Sequence, residues 1–188
     1  MEKRIMESFL VKAAIPVNTH KKNEQPVNPR LWDAIWRAHR DVLTGRFHMK
    51  KYIEKTEGVK KHQVTEKLNE IILEDAESKT AIASMSLIEK MQNEFPDVEF
   101  GAIQKLVNMT LKYVIILKTF TNEIDFEVDE SGCDCPLDSI ILGKLPQEHT
   151  VWTRIDEQEY EQVQNEIRES LSKEHCNSGN VIFDFLHW

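Results

Sequence analysis

Apolar residues recur along this chain at helical spacing almost from end to end. Leu31, Trp32, Ile35, Trp36, Val42 and Leu43 mark one amphipathic helix, which Asn28 caps with Pro29 at its first position and which closes at Gly45. From Val64, the positions Leu68, Ile71 and Ile72 predict a second helix. Ile82, Met85, Ile88 and Met91 predict a third, stopped at Phe95-Pro96. Gly101 then leads into the longest apolar stretch. Residues 113–117 are apolar all round, as in a helix packed on most sides, whereas Lys105, Asn108 and Lys112 at i, i+3 and i+7 form one polar stripe.

The remainder reads as shorter pieces. Pro136 and Asp138 open a helix that ends near Gly143. Asp156, with Glu159, caps a long helix whose buried stripe is Tyr160, Val163, Ile167 and Leu171. The closing VIFDFLHW is too apolar to be left in water and should dock back on the body. Residues 1–17 fit a short helix ending at Pro16, 18–28 a polar loop, and 121–134 an acidic loop with room for at most a short strand at 124–128. No βαβ rhythm appears, so the class is mainly α, as a single domain over residues 1–188.

Charge changes this picture in one respect. The total is −8, yet residues 1–62 hold 14 Lys+Arg against 7 Asp+Glu, a net of +7, which leaves −15 for residues 63–188. A basic N-terminal part on an acidic body permits a polyanion-binding face without requiring one. The stretch 46–62 interleaves Phe47 and Tyr52 with lysines, a pattern that stacks on bases or simply covers a core. Cys133, Cys135 and Cys176 are odd in number and follow no disulfide spacing, and no segment reads as a signal peptide or a bilayer span; a cytoplasmic protein without a membrane partner is expected.

Chemistry has few candidates. Cys133, Cys135, His175 and Cys176 are soft ligands, but the pairs CDC and HC lack the spacer of a zinc knuckle, so no metal and no organic cofactor is expected. No phosphate-cradling glycine loop and no local Cys/His or Ser/His set is present, and no carboxylate/His cluster has the spacing of a metal-dependent nuclease. What remains is Lys105, in the first turn of the apolar helix, and Asp138, thirty-three residues on at another helix start. Dipole and desolvation both favour a neutral amine at such a lysine, and a neutral amine attacks electron-poor carbon while a nearby carboxylate steadies the developing cation. The same pair also reads as a surface lysine and an ordinary cap.

The Gln104-Lys105 helix, the Pro136-Leu137-Asp138 turn and the closing Asp184-x-x-x-Trp188 together resemble the helix-hairpin-helix DNA glycosylase superfamily, and within it the archaeal 8-oxoguanine DNA glycosylase branch. The resemblance covers residues 95–188. It implies a two-lobed helical domain whose catalytic part is 95–188, and a partner that is DNA containing a damaged base. Lys105 would form a Schiff base at the sugar C1′ and Asp138 would assist base departure. Asp184 and Trp188 would bind the extruded base, with Trp32 or Trp36 as the opposite wall, and the loop before Lys105 would grip the DNA backbone. The rival expectation is a non-catalytic helical adaptor or regulator of a protein partner, in which Lys105 and Asp138 are only caps.

Overall fold

The computed structural model describes residues 28–44, 61–121, 124–173 and 179–187. The expected helix ending at Pro16, the basic stretch after Gly45 as far as residue 60, His175, Cys176 and Trp188 lie outside the described residues. Four helices come first: α1 (Pro29–Thr44), α2 (Lys61–Glu77), α3 (Ser84–Glu94) and α4 (Phe100–Thr121). After a 3-10 turn (Glu130–Gly132) follow α5 (Ser139–Leu142), a second 3-10 turn (Trp152–Arg154), α6 (Glu157–Lys173) and α7 (Val181–His187). The result is a compact, mainly α-helical domain with no β-sheet among the described residues.

Local chemistry sets the boundaries. The Asn28 carboxamide oxygen accepts from Leu31 N at 3.0 Å, and Asp156 Oδ1 accepts from Glu159 N at 2.9 Å, so both caps read from sequence form. Glu159 does not reach back to its cap; its Oε1 accepts from Thr150 N at 2.7 Å and ties the preceding loop to α6. Residues 124–128 form no strand. Val128 makes a single parallel bridge to Ile82, beside which Asp129 N donates to Ile82 O at 3.0 Å. Pairing stops there because Ile82 runs directly into α3 and Asp129 into a 3-10 turn.

α4 is the axis of the fold. It packs on α1, α3 and the Trp152–Arg154 turn, and residues 101–117 are buried except for Lys105, which is half-buried. Leu31, Ala34, Ile35 and Ala38 of α1 and Leu87, Ile88 and Met91 of α3 are wholly buried in the same core. Each large aliphatic side chain removed from water there contributes about 1.5–3 kcal/mol. One expectation is corrected here: Phe100–Phe120 is long and apolar enough to cross a membrane. That span is 89% buried within the protein, because a helix enclosed by other elements on most sides needs the same all-round apolarity.

Residues 133–137 are the unusual part. They run extended and buried between helices, where a strand partner would normally satisfy the backbone. Side chains do it instead. Ser84 Oγ accepts from Asp134 N at 2.8 Å. Gln164 accepts from Cys135 N at 3.1 Å and donates to Cys135 O at 2.7 Å. Val181 N, at the start of α7, donates to Cys133 O at 3.1 Å, so the C-terminal helix docks on this segment.

Candidate functional site

Gln104 does for Leu137 what Gln164 does for Cys135. Its Oε1 accepts from Leu137 N at 3.3 Å, and its Nε2 donates to Leu137 O at 3.2 Å and to Gly101 O at 3.0 Å. Because Lys105 follows Gln104 and Asp138 follows Leu137, this clamp sets the amine opposite the carboxylate. Lys105 Nζ donates to Asp138 Oδ2 at 3.3 Å. The other oxygen, Oδ1, caps α5 by accepting from Ile140 N at 2.8 Å and Ile141 N at 3.0 Å. One carboxylate is thus both a cap and the partner of the lysine. Its capping bonds fix its orientation, so Oδ2 is held facing the amine.

The indole of Trp152 lies beneath the ammonium, with Nζ 4.5 Å from the ring centroid. Gly101 permits this. A Cβ there would stand 2.1 Å from Trp152 O, so only glycine lets the 3-10 turn sit against the first turn of α4. The Lys105 and Asp138 side chains are 12% and 18% exposed, walled on most sides yet reachable from solvent. A groove of about 470 Å³, lined by Ser139, Leu142, Leu145, Val151 and Trp152 among others, opens beside them.

Further along the same face of α4 lies a second, fully buried layer. Lys112 pairs with Asp184 of α7. Asn108 Nδ2 donates to Tyr160 OH at 2.8 Å, and that hydroxyl donates to Asp134 Oδ2 at 2.8 Å. Burial raises the Asp184 carboxyl above its ordinary range; Lys112 opposes the shift, Asp138 adds to it and Lys105 opposes it. Burial likewise raises Asp134, against the Tyr160 hydrogen bond and Arg168. The thiols of Cys133 and Cys135 are pushed up by burial as well, which makes them inert core groups. Among the described residues no group of three or more His, Cys, Asp or Glu could hold a metal ion.

Of the residues singled out from sequence, Lys105 and Asp138 come together directly, and Asp184 lies on the same side of α4 in the deeper layer, engaged by Lys112. Trp32 and Trp36 sit on α1. Their rings pack edge to face on each other at 5.9 Å, and Trp36 packs on His39 at 4.8 Å. Sequence reasoning missed Trp152, Gln104 as a clamp and Lys112 as the partner of Asp184. Only Lys112 had left a signal, its place in the polar stripe. No family model matches the chain, and no curated protein and no solved structure is significantly similar to it.

Proposed function

We propose that this chain is a DNA glycosylase with an associated lyase step, which removes an oxidised purine, 8-oxoguanine, from DNA in a cleft between two helical lobes. The observation that carries this reading is the Lys105–Asp138 pair at 3.3 Å, held by a backbone clamp at the edge of a solvent-reachable groove. The order and interval of Lys105, Pro136-x-Asp138 and Asp184, which resemble those of the glycosylase superfamily, point the same way.

In the proposed reaction the Lys105 ammonium first gives a proton to solvent, and the freed amine attacks the sugar C1′. The bond from C1′ to the base breaks, its electron pair leaves on the base nitrogen, and that nitrogen takes up a proton. Loss of a proton from the new C1′ amine and opening of the C1′–O4′ bond, with the electron pair and a proton going to O4′, give a Schiff base. Removal of a C2′ proton then expels the 3′ phosphate. Asp138 Oδ2 faces the developing positive charge at C1′, and its fixed orientation means that it need not reorganise as the charge appears. The Trp152 face provides an apolar, π-rich floor for the same cation.

The test uses duplex oligonucleotides carrying single damaged bases, incubated with the protein and borohydride. Borohydride reduces the Schiff base to a stable amine, so wild type should give a covalent protein–DNA adduct. Lys105→Gln should give none. Asp138→Asn, which keeps the cap, should slow adduct formation by about 10²–10⁴-fold. Absence of adduct and of strand cleavage on every lesion would overturn the assignment.

A further inference from the structure

Residues 143–151, between α5 and the Trp152–Arg154 turn, supply most of the wall of the groove beside Trp152. Two contacts hold the far end of this segment to α6. Thr150 N donates to Glu159 Oε1 at 2.7 Å, and His149 Nε2 faces Glu166 Oε2 at 2.9 Å. Glu159 and Glu166 stand at i and i+7 on α6, so both anchors share one face of that helix. The two anchors differ in kind. The first is a backbone amide on a carboxylate, the same at any pH near neutrality. In the second, the His149 and Glu166 side chains are only 9% and 15% exposed, yet neither His149 Nε2 nor Glu166 Oε1 makes an aligned hydrogen bond, so charge is what holds the pair together. That charge is variable, because an imidazole gains and loses its proton near neutral pH. Glu148, Asp156, Glu159, Glu166 and Glu169 line an acidic groove with His149, and the groove beside Trp152, which His149 also lines, adds no further charged side chain. No Lys or Arg lines either groove, so a neutral His149 leaves Glu166 with no cation among them.

We infer that residues 146–151 form a proton-controlled strap on the groove beside Lys105, latched to α6 through His149 and Glu166 when the imidazole is charged and released to the Glu159 anchor alone when it is neutral. The latch is therefore present below the imidazole titration and lost as pH rises through it. Its position gives the release a consequence. The strap runs directly into Trp152, the ring beneath Lys105, and its Gln147, Glu148 and His149 are the wall that the two grooves share. A molecule that approaches Lys105 and Asp138 through the groove beside Trp152 meets this wall, and a released strap yields to it. The inference goes beyond the reaction proposed for Lys105 and does not depend on it.

Amide hydrogen exchange of the full chain, with no DNA present, reads the latch directly. Protection of residues 146–151 is measured at about pH 5 and about pH 8, corrected for the intrinsic exchange rate and set against the amides of α2 as an internal standard. In wild type it should fall by about tenfold toward the higher pH. Glu166→Gln, which keeps the shape of the side chain and removes its charge, should show the low value at both. Glu169→Gln, which removes another carboxylate from the same groove, should keep the wild-type fall. Constant protection in wild type overturns the strap. So does a fall that persists in Glu166→Gln, protection that stays high there at both pH values, or a fall that Glu169→Gln abolishes, since each assigns the effect to something other than the His149–Glu166 contact. None of these outcomes touches the glycosylase reading, which stands or falls on the borohydride adduct.

Discussion

The two sides of α4 are built on different physics. Toward α1 and α3 the helix meets wholly buried aliphatic residues such as Ile35, Leu87 and Ile88, and the buried Tyr113 reaches the partly exposed Asp41 and Arg37. Toward residues 133–138, α6 and α7 it buries Gln104, Asn108 and Lys112, each tied to a partner across the interface. The apolar side is cheap to assemble and tolerant, because hydrophobic contact is non-directional. On the polar side every desolvated donor and charge must find its complement, so its geometry is specified bond by bond. The side that must be specified in this way is also the side that carries Lys105 and Asp138.

Breaking the polar side at its deepest point should have the largest effect. Lys112→Met leaves the Asp184 carboxylate buried without its ammonium and should destabilise the protein by about 3–5 kcal/mol in urea unfolding. The double variant Lys112→Met/Asp184→Leu should recover most of that loss. Asp184 already binds its proton more tightly in the folded state than an ordinary carboxyl, and removal of Lys112 strengthens this. The folded state of the single variant then takes up a proton before the unfolded state does, so its deficit should shrink as pH falls from neutral toward the ordinary carboxylate range. A deficit independent of pH would show that the ion pair is not the cause.

Gln104→Leu comes next. It strands the backbone N–H and C=O of Leu137, should cost about 1–3 kcal/mol, and should depress adduct formation because Asp138 is no longer held against Lys105. Ile35→Val, on the apolar side, should cost about 0.5–1.5 kcal/mol and leave adduct formation unchanged. Equal effects of the two on adduct yield would erase the distinction drawn between the sides. The smallest change expected is that of Asp134→Asn, which still accepts from Tyr160. Because burial raises the wild-type carboxyl, the folded state holds that proton between the ordinary value and the raised one, and wild-type stability falls as pH rises through that window. The variant, which carries no such charge, should therefore gain on wild type as pH rises from below the ordinary carboxylate range to neutral, as thermal melts across pH will show.

The helices on both sides of α4 were legible in the sequence. Periodicity and the Asn28 and Asp156 caps located α1 and α6, and the stripe Tyr160, Val163, Ile167 and Leu171 is buried as its spacing implied. Those signals are local, repeating every three or four residues. The polar contacts were legible only where a residue type stood out, as with Lys105 and Asp138. Residues 133 and 134 read as the end of an acidic loop and Pro136 as part of a helix start, because a buried extended segment whose backbone bonds go to Gln104, Gln164 and Ser84 leaves no period in the sequence. Trp152 was invisible for a similar reason: its 3-10 turn has no pattern, and what places the ring under Lys105 is a glycine in a different helix. The all-round apolar stretch of α4 was read correctly as a packed helix, while the expectation that no segment reads as a bilayer span did not hold for Phe100–Phe120.

The central claim is that the Lys105 amine, and no other in the chain, bonds to the sugar of a damaged nucleotide. The most direct measurement is to trap wild-type protein on an 8-oxoguanine duplex with borohydride, digest the adduct and map the modified peptide by mass spectrometry. The account predicts a single reduced sugar adduct on Lys105, its yield falling sharply in Asp138→Asn. An adduct spread over surface lysines, or one that persists in Lys105→Gln, would contradict it and leave Lys105 and Asp138 as a buried-edge ion pair that does no more than start a helix.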